Sequence, residues 1–277
     1  MENNSFGSVY GSPSTPYISA LARRCGYASN FHNTSHPSLP NYIALTSGTN
    51  VAGLAPFDGD CSPSPGCDST ADNIFNEVTS HGGWRAFDES MPSPCFKAAI
   101  PLYGPKHNPA VYYTDIPPST CVSDDVPLGT AVNSPLLAAL RNPAAAPAFS
   151  LVTPNICDDM HGGPGCPSDL IATGDAWLAR WVPLITDTPT YRSGDTAVFI
   201  VWDEGNGGSA GEDCAASPTD ESCHVLAIWV APSVRPGTVV AAPLDDYSCL
   251  KTVEDLLGVA ELGNARTASG MSNSFNL

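Results

Sequence analysis

The sequence predicts an α/β protein with a mostly parallel central sheet and helices on both faces. Three observations carry this. Apolar runs of strand length alternate with segments of helical period. Two of the strands lead directly into loops crowded with polar and acidic residues, which is where open α/β sheets place their ligands. The 277 residues suffice for one sizeable domain, 1–277, without need of a second.

The elements follow in order. Pro16 to Arg24 reads as a short helix. In Ser35-His36-Pro37-Ser38-Leu39-Pro40-Asn41, both prolines fix their own φ and bias the preceding residue toward extended geometry. Ser38 is therefore expected on a stiff, exposed bend, with the Asn41 amide turned toward it. Ser69 to Ser80 reads as a helix, with Ala71, Ile74, Phe75 and Val78 on one face and Gly82-Gly83 beyond its end. Pro135 to Arg141 is a short helix, and Phe149 to Thr153 a strand leading into the loop Asn155 to His161. Ser168 to Val182 is the clearest helix, with Ser168 as its cap and Leu170, Ile171, Trp177, Leu178 and Trp181 at helical spacing. Ala197 to Trp202 reads as a fully buried strand, followed by Asp203, Glu204 and the glycine-rich Gly205-Asn206-Gly207-Gly208. A strand over His224 to Ala231 and a capped amphipathic helix over Asp245 to Val259 complete the chain.

A net charge of −17 argues against nucleic acid and anionic membrane surfaces as partners. It would also repel a polyanionic substrate, so positive charge has to be supplied locally. No apolar run approaches the ~18 residues of a membrane-spanning helix. Ten cysteines point to disulfides and an oxidising compartment. Cys61 with Cys67, Cys157 with Cys166 and Cys214 with Cys223 are the local pairs; Cys95 with Cys121 and Cys25 with Cys249 are the remaining pairing.

Chemistry concentrates at two points. The Ser38 hydroxyl is a poor nucleophile until a base or a metal activates it. Asp203 and Glu204 repel one another unless a cation lies between them, and a hard divalent ion suits two carboxylates. Alone, the first segment also reads as a surface turn and the second as a solvated strand exit. Gly207-Gly208-Ser209-Ala210-Gly211 fits the G-x-S-x-G pattern, but four residues separate it from the strand and no helix follows, so it reads as a flexible loop. His32 and His36 either line the pocket or, the more ordinary outcome, are satisfied surface histidines. Of Asp158 and Asp159, one ligates metal or orients His161, or both are turn residues, with Asp159 read as lying behind the ligands.

The order of six motifs adds a family resemblance. Met1-Glu2-Asn3, His36-Pro37-Ser38-Leu39-Pro40-Asn41-Tyr42, Lys106-His107-Asn108-Pro109, Asp158-Asp159-Met160-His161, Gly174-Asp175-Ala176-Trp177-Leu178 and Trp202-Asp203-Glu204-Gly205 span nearly the whole chain. In this it resembles the bacterial secreted phosphoesterase family of acid phosphatases and phospholipases C, within the alkaline phosphatase superfamily. The resemblance implies an alkaline phosphatase-like sheet and a nucleophile, Ser38, that also ligates metal. Glu2, Asn3, Asp203 and Glu204 match the other ligands of one divalent ion (Mg, Ca, Mn or Zn). Asn41, His107 and His161 match groups that hold phosphoryl oxygens or serve the leaving group. The implied activity is a secreted acid phosphatase acting on small-molecule or lipid phosphate esters, phosphoinositides included, through a phosphoserine. A phospholipase C-type diesterase and a catalytically silent binding protein are the alternatives. Relatives carry a strand and a signal peptide before Met-Glu-Asn, so Met1 is expected to be an internal methionine of a longer protein, with Glu2 and Asn3 on a fraying end. The histidine that relatives often have before the tyrosine of the last helix is Asp246 here, so that role is expected to be lost or replaced.

Overall fold

The computed structural model describes residues 1–277. Its larger sheet is built around β1 (Gly26–His32). One side of β1 pairs antiparallel with β6 (His224–Val230), which pairs antiparallel with β5 (Val198–Val201) at the edge. On its other side β1 pairs in parallel with β7 (Thr238–Val240) and β8 (Leu244–Asp245), strung along its length. A second, three-stranded sheet is wholly parallel, with β2 (Trp84–Asp88) between β3 (Asp125–Pro127) and β4 (Phe149–Thr153). The expectation of a mostly parallel arrangement is met, with β6 as the one reversed strand. Two apolar cores follow this division. The larger contains Phe31, Trp181, Trp202 and Trp229; the smaller contains Ile43, Phe75, Trp84 and Tyr112.

The main helices pack as two pairs, Pro16–Arg24 with Leu170–Thr186 and Ser38–Ser47 with Asp246–Leu257. The last begins with a capping box between Asp245 and Ser248 and ends at Gly258, whose φ of 66° is left-handed and suits glycine. The helix at 170–186 is capped by Asp169 rather than Ser168, because the Asp169 side chain accepts from Ala172 N–H. It also runs past Val182, through Pro183. Between Ser69 and Ser80 only Ile74–Glu77 is α-helical, followed by a 3-10 turn over Val78–Ser80. Ser69 is drawn away because its backbone N–H and C=O pair with Tyr112 and Thr114, and Asn73 caps the shortened helix. The apolar face was read correctly, but long-range main-chain pairing overrode the local preference. Likewise β5 is only partly buried, since it pairs on one side alone.

Four disulfides, Cys61–Cys67, Cys95–Cys121, Cys157–Cys166 and Cys214–Cys223, close loops. Cys25 and Cys249 are free thiols, against the fifth expected pairing. Cys25 precedes the first residue of β1. Cys249 lies one helical turn beyond β8, which pairs with the last residues of β1. A seven-residue strand is about 20 Å long, whereas a disulfide needs Cα atoms within about 7 Å. No helix is long and apolar enough to cross a membrane.

Candidate active site

Strands β1, β4, β5 and β8 all deliver their carboxyl ends to one edge, where the polar loops converge. After β1 the chain turns through Thr34–Pro37 into the helix Ser38–Ser47. Ser38 is thus the first residue of a helix and fully buried, not on an exposed bend. The turn is held by two side chains. Asn41 Oδ1 accepts from the N–H groups of Thr34 (3.0 Å) and Ser35 (2.8 Å), while its Nδ2 donates to the carbonyls of Ser35 (2.8 Å) and Pro37 (3.1 Å). Asp246 Oδ2 accepts from both the N–H and the hydroxyl of Thr34, at 2.9 Å each. The Asn41 amide therefore faces its own backbone rather than Ser38, a correction to the sequence expectation: a buried turn left its N–H and C=O groups without other partners. Asp246, buried in the last helix, serves the same turn.

The amino-terminal residues are stitched into the site instead of fraying. The Met1 amino group donates to Val201 C=O (3.0 Å), Asp203 N–H to Met1 C=O (2.9 Å), and Glu2 N–H to Asp159 C=O (2.7 Å). Glu2 is completely buried as a result. Ser38 Oγ lies 3.0 Å from Glu2 Oε2 and 3.2 Å from Glu204 Oε1, so its proton has two carboxylate acceptors in reach. Tyr42 donates to Glu2 Oε1 at 2.5 Å, and His36 Nδ1 lies 2.5 Å from Glu204 Oε2. Asp203 Oδ1 accepts from Glu204 N–H (2.7 Å) and Asn3 N–H (3.3 Å).

His107 is buried between two carboxylates, its Nε2 3.1 Å from Glu2 and its Nδ1 3.1 Å from Asp159. Burial alone would lower its pKa, but these carboxylates outweigh it and raise it to about 9. The ring lies behind Glu2, between that carboxylate and Asp159. Asp159 also accepts from His161 N–H at 2.7 Å, which makes it the link between the two histidines. For Glu2, burial pushes upward, yet His107, Lys106 and the chain amino group hold the carboxyl far below its usual range. Burial and then the neighbouring Glu2 and Glu204 push Asp203 well above it. His161 is half-buried; its Nδ1 faces Gly162 C=O at 2.9 Å and its Nε2 lies 3.0 Å from Lys106 Nζ.

The donor set tests whether a metal fits. Glu2, Asn3, Ser38, Asp203 and Glu204 supply oxygen donors alone, as a hard divalent ion requires. The Oδ1 of Asn3 and the Oδ2 of Asp203 are buried without a hydrogen-bond partner, which leaves them free to face an ion. A second group, Glu2 with His107 and His161, places one ligand atom from each within 4.8 Å of the others. In that group His107 Nε2 is likewise buried without a hydrogen-bond partner, so it is a second place for a cation; the oxygen set is the one whose donors suit a hard ion.

Beside the site lies a cavity of about 430 Å³, bounded by Asn3 and His161 on the reacting side and by Asn206, Ser168, Leu170 and Ile171 beyond. Several contributors were not singled out by sequence reasoning. His36 is buried against Glu204; Tyr42 and Lys106 stood within quoted motifs but received no role; Asp60 lay just before Cys61, outside any motif. His32 stacks on His224, away from the site.

The fold, with a buried hydroxyl set among carboxylates, is that of a hydrolase of phosphoric esters. Residues 2–260 match the Phosphoesterase family, and the chain belongs to it. It is 29% identical over 273 residues to a phosphatidylinositol-3-phosphatase from Mycobacterium tuberculosis, covering 96% of this chain and 78% of that one. An acid phosphatase from Aspergillus fumigatus is 25% identical over 84% of this chain, which spans only 48% of that relative's length. In three dimensions the chain resembles a protein of the alkaline phosphatase superfamily from Vibrio parahaemolyticus, with a TM-score of 0.63 at 14% identity, over 99% of this chain and 70% of that one.

Proposed function

We propose that this chain is a secreted phosphomonoesterase that works through a phosphoserine at Ser38. The observation that carries the reading is Ser38 Oγ: buried at a helix start, within 3.2 Å of two carboxylates, and beside oxygens left unpaired for a cation. When bound, a divalent ion held by Glu2, Asn3, Ser38, Asp203 and Glu204 would lower the charge of the nucleophile and polarise the phosphoryl group.

The chain's own residues do the rest. Ser38 Oγ attacks phosphorus as the bond to the leaving alcohol breaks, and its proton passes to a neighbouring carboxylate. The departing alkoxide takes its proton from a solvent water admitted through the cavity that His161 lines, leaving hydroxide that solvent neutralises. Water then adds to phosphorus as the Ser38 Oγ–P bond breaks; Ser38 regains a proton and inorganic phosphate leaves. Asn41 and Asp246 hold the turn that aims Ser38. Asp159 and His107 keep Glu2 oriented. The four disulfides support secretion, and the mycobacterial relative supports phosphoinositides as one substrate class.

The test is p-nitrophenyl phosphate hydrolysis between pH 4 and 9, with and without chelator, beside Ser38→Ala. Chelator-sensitive turnover that vanishes in Ser38→Ala is expected. Turnover that survives in Ser38→Ala would remove the proposed nucleophile, and turnover on diesters alone would replace the monoesterase by a diesterase.

A further inference from the structure

The buried site gathers Glu2, Asp203, Glu204 and Asp159, and among the side chains of permanent cationic type only Lys106 reaches the nucleophile. Its Nζ lies 2.6 Å from Asp60 Oδ2, 3.0 Å from His161 Nε2 and 3.5 Å from Ser38 Oγ. These three neighbours match the three N–H donors of an ammonium group. They are not equal. The Asp60 contact is short and charged, whereas the Ser38 contact is at the limit of a hydrogen bond.

Asp60 explains why the ammonium stands there. Its other oxygen, Oδ1, accepts from Leu39 N–H at 2.9 Å, the backbone donor just after Ser38. Asp60 has a φ of 48°, a left-handed conformation uncommon outside glycine, asparagine and aspartate, and it immediately precedes Cys61 of the Cys61–Cys67 disulfide. One carboxylate thus ties Lys106 and the start of the nucleophile helix together. Lys106 is mostly buried and cannot swing away as a surface lysine does.

We propose that Lys106, positioned by Asp60, is a binding site for a non-bridging phosphoryl oxygen, and that it selects ligands with three free oxygens, phosphomonoesters and inorganic phosphate, over diesters. The inference rests on Ser38 as nucleophile for its catalytic part, but not for its binding part. A phosphoryl group seated on Ser38 brings an oxygen into the space between Oγ and His161, where the weakly engaged N–H of Lys106 points. A charge-assisted bond to that oxygen replaces a long contact to a neutral hydroxyl. In a diester one of the three oxygens is esterified, so the site meets a weaker acceptor and an added substituent.

The experiment compares wild type, Lys106→Gln and Lys106→Arg as metal-loaded full chains. Inhibition of p-nitrophenyl phosphate turnover by inorganic phosphate is measured first. Lys106→Gln should weaken phosphate inhibition by about 10- to 100-fold, the range of one charged hydrogen bond. It should lower kcat/KM for p-nitrophenyl phosphate more than for bis(p-nitrophenyl) phosphate. Lys106→Arg should recover part of the phosphate affinity, which separates lost charge from lost packing. A phosphate inhibition constant unchanged in Lys106→Gln would overturn the proposal. Calorimetric titration with phosphate covers the case in which Ser38 proves not to be the nucleophile. Binding that is weaker in Lys106→Gln would then uphold the site, and equal or absent binding would overturn it.

Discussion

Two acidic groups are buried in this molecule, and they behave in opposite ways. Around Ser38, the carboxylates of Glu2, Asp203 and Glu204 crowd together with cationic neighbours and with oxygens that no donor satisfies. In the second sheet, Asp88 at the end of β2 and Asp125 at the start of β3 form a pair, in which Asp88 Oδ1 also lacks a hydrogen-bond partner. Asn108 donates to both oxygens of Asp125, at 3.0 and 2.9 Å. Burial, and then Asp125, push the Asp88 carboxyl well above its usual range, so it keeps its proton and bonds to Asp125. Burial likewise raises Asp125, to about 6. The lesson is that buried acid alone does not mark a site. What sets the first group apart is the Ser38 hydroxyl, within 3.2 Å of two carboxylates, and a cavity beside it.

The comparison predicts its largest contrast in activity. Asp203→Asn should cost more than the ~10–100-fold that partners behind a metal ligand carry, while Asp88→Asn should leave kcat/KM nearly unchanged. Without metal the sign reverses for stability: Asp203→Asn removes repulsion from Glu2 and Glu204, so its melting temperature at pH 7 should exceed that of wild type. Equal activity losses in the two variants would erase the distinction.

His36→Ala tests the next layer. It frees the Glu204 oxygen that His36 holds at 2.5 Å, and metal titration should show affinity weakened by about 10- to 100-fold. Gly208→Ala probes the same contact from outside. A Cβ there would meet the His36 ring at 2.3 Å, and the φ of 83° disfavours any side chain, so a smaller loss of metal affinity is expected.

Asn41→Ala removes four hydrogen bonds from the turn before Ser38. Chemical denaturation should show a loss on the order of 3 kcal/mol, with activity falling through misaligned Ser38 even when the variant is fully folded. If activity fell with no change in stability, direct contact with phosphate would be restored as the role of Asn41.

The smallest effect is in pH dependence. Both carboxyls of the Asp88–Asp125 pair have folded pKa values above their unfolded ones, so the folded protein holds a proton that the unfolded chain releases above about pH 4. Their contribution is complete below that pH and declines as pH rises through about 6 for Asp125 and higher for Asp88. Melting temperature should therefore fall between pH 5 and 8 more steeply in wild type than in Asp88→Asn, by a few degrees. Parallel curves would exclude the shared proton.

The strand-and-loop order of the site could be read directly, because apolar runs ending in Asp203-Glu204 or Asn155–His161 are local patterns. So could Ser38, fixed between two prolines. Asn41 stands in the same motif, but its direction was misjudged: an amide three residues into a helix can face either the ligand or its own turn. Only the buried, otherwise unpaired backbone of Thr34 and Ser35 decides which. The helix expected over 69–80 shortened for a related reason, since pairing with Tyr112 and Thr114 comes from 40 or more residues away.

By itself the sequence determined the alternation of elements, the placement of acidic and hydroxyl groups at strand ends, and the three local cysteine pairings, all of which depend on neighbours close along the chain. The tertiary structure decided where side chains point: Glu2 against Ser38, His36 behind Glu204, Lys106 between Asp60 and the nucleophile, and Cys25 a strand's length from Cys249. Those outcomes depend on which distant groups burial leaves without a partner, and that is set only when the layers close.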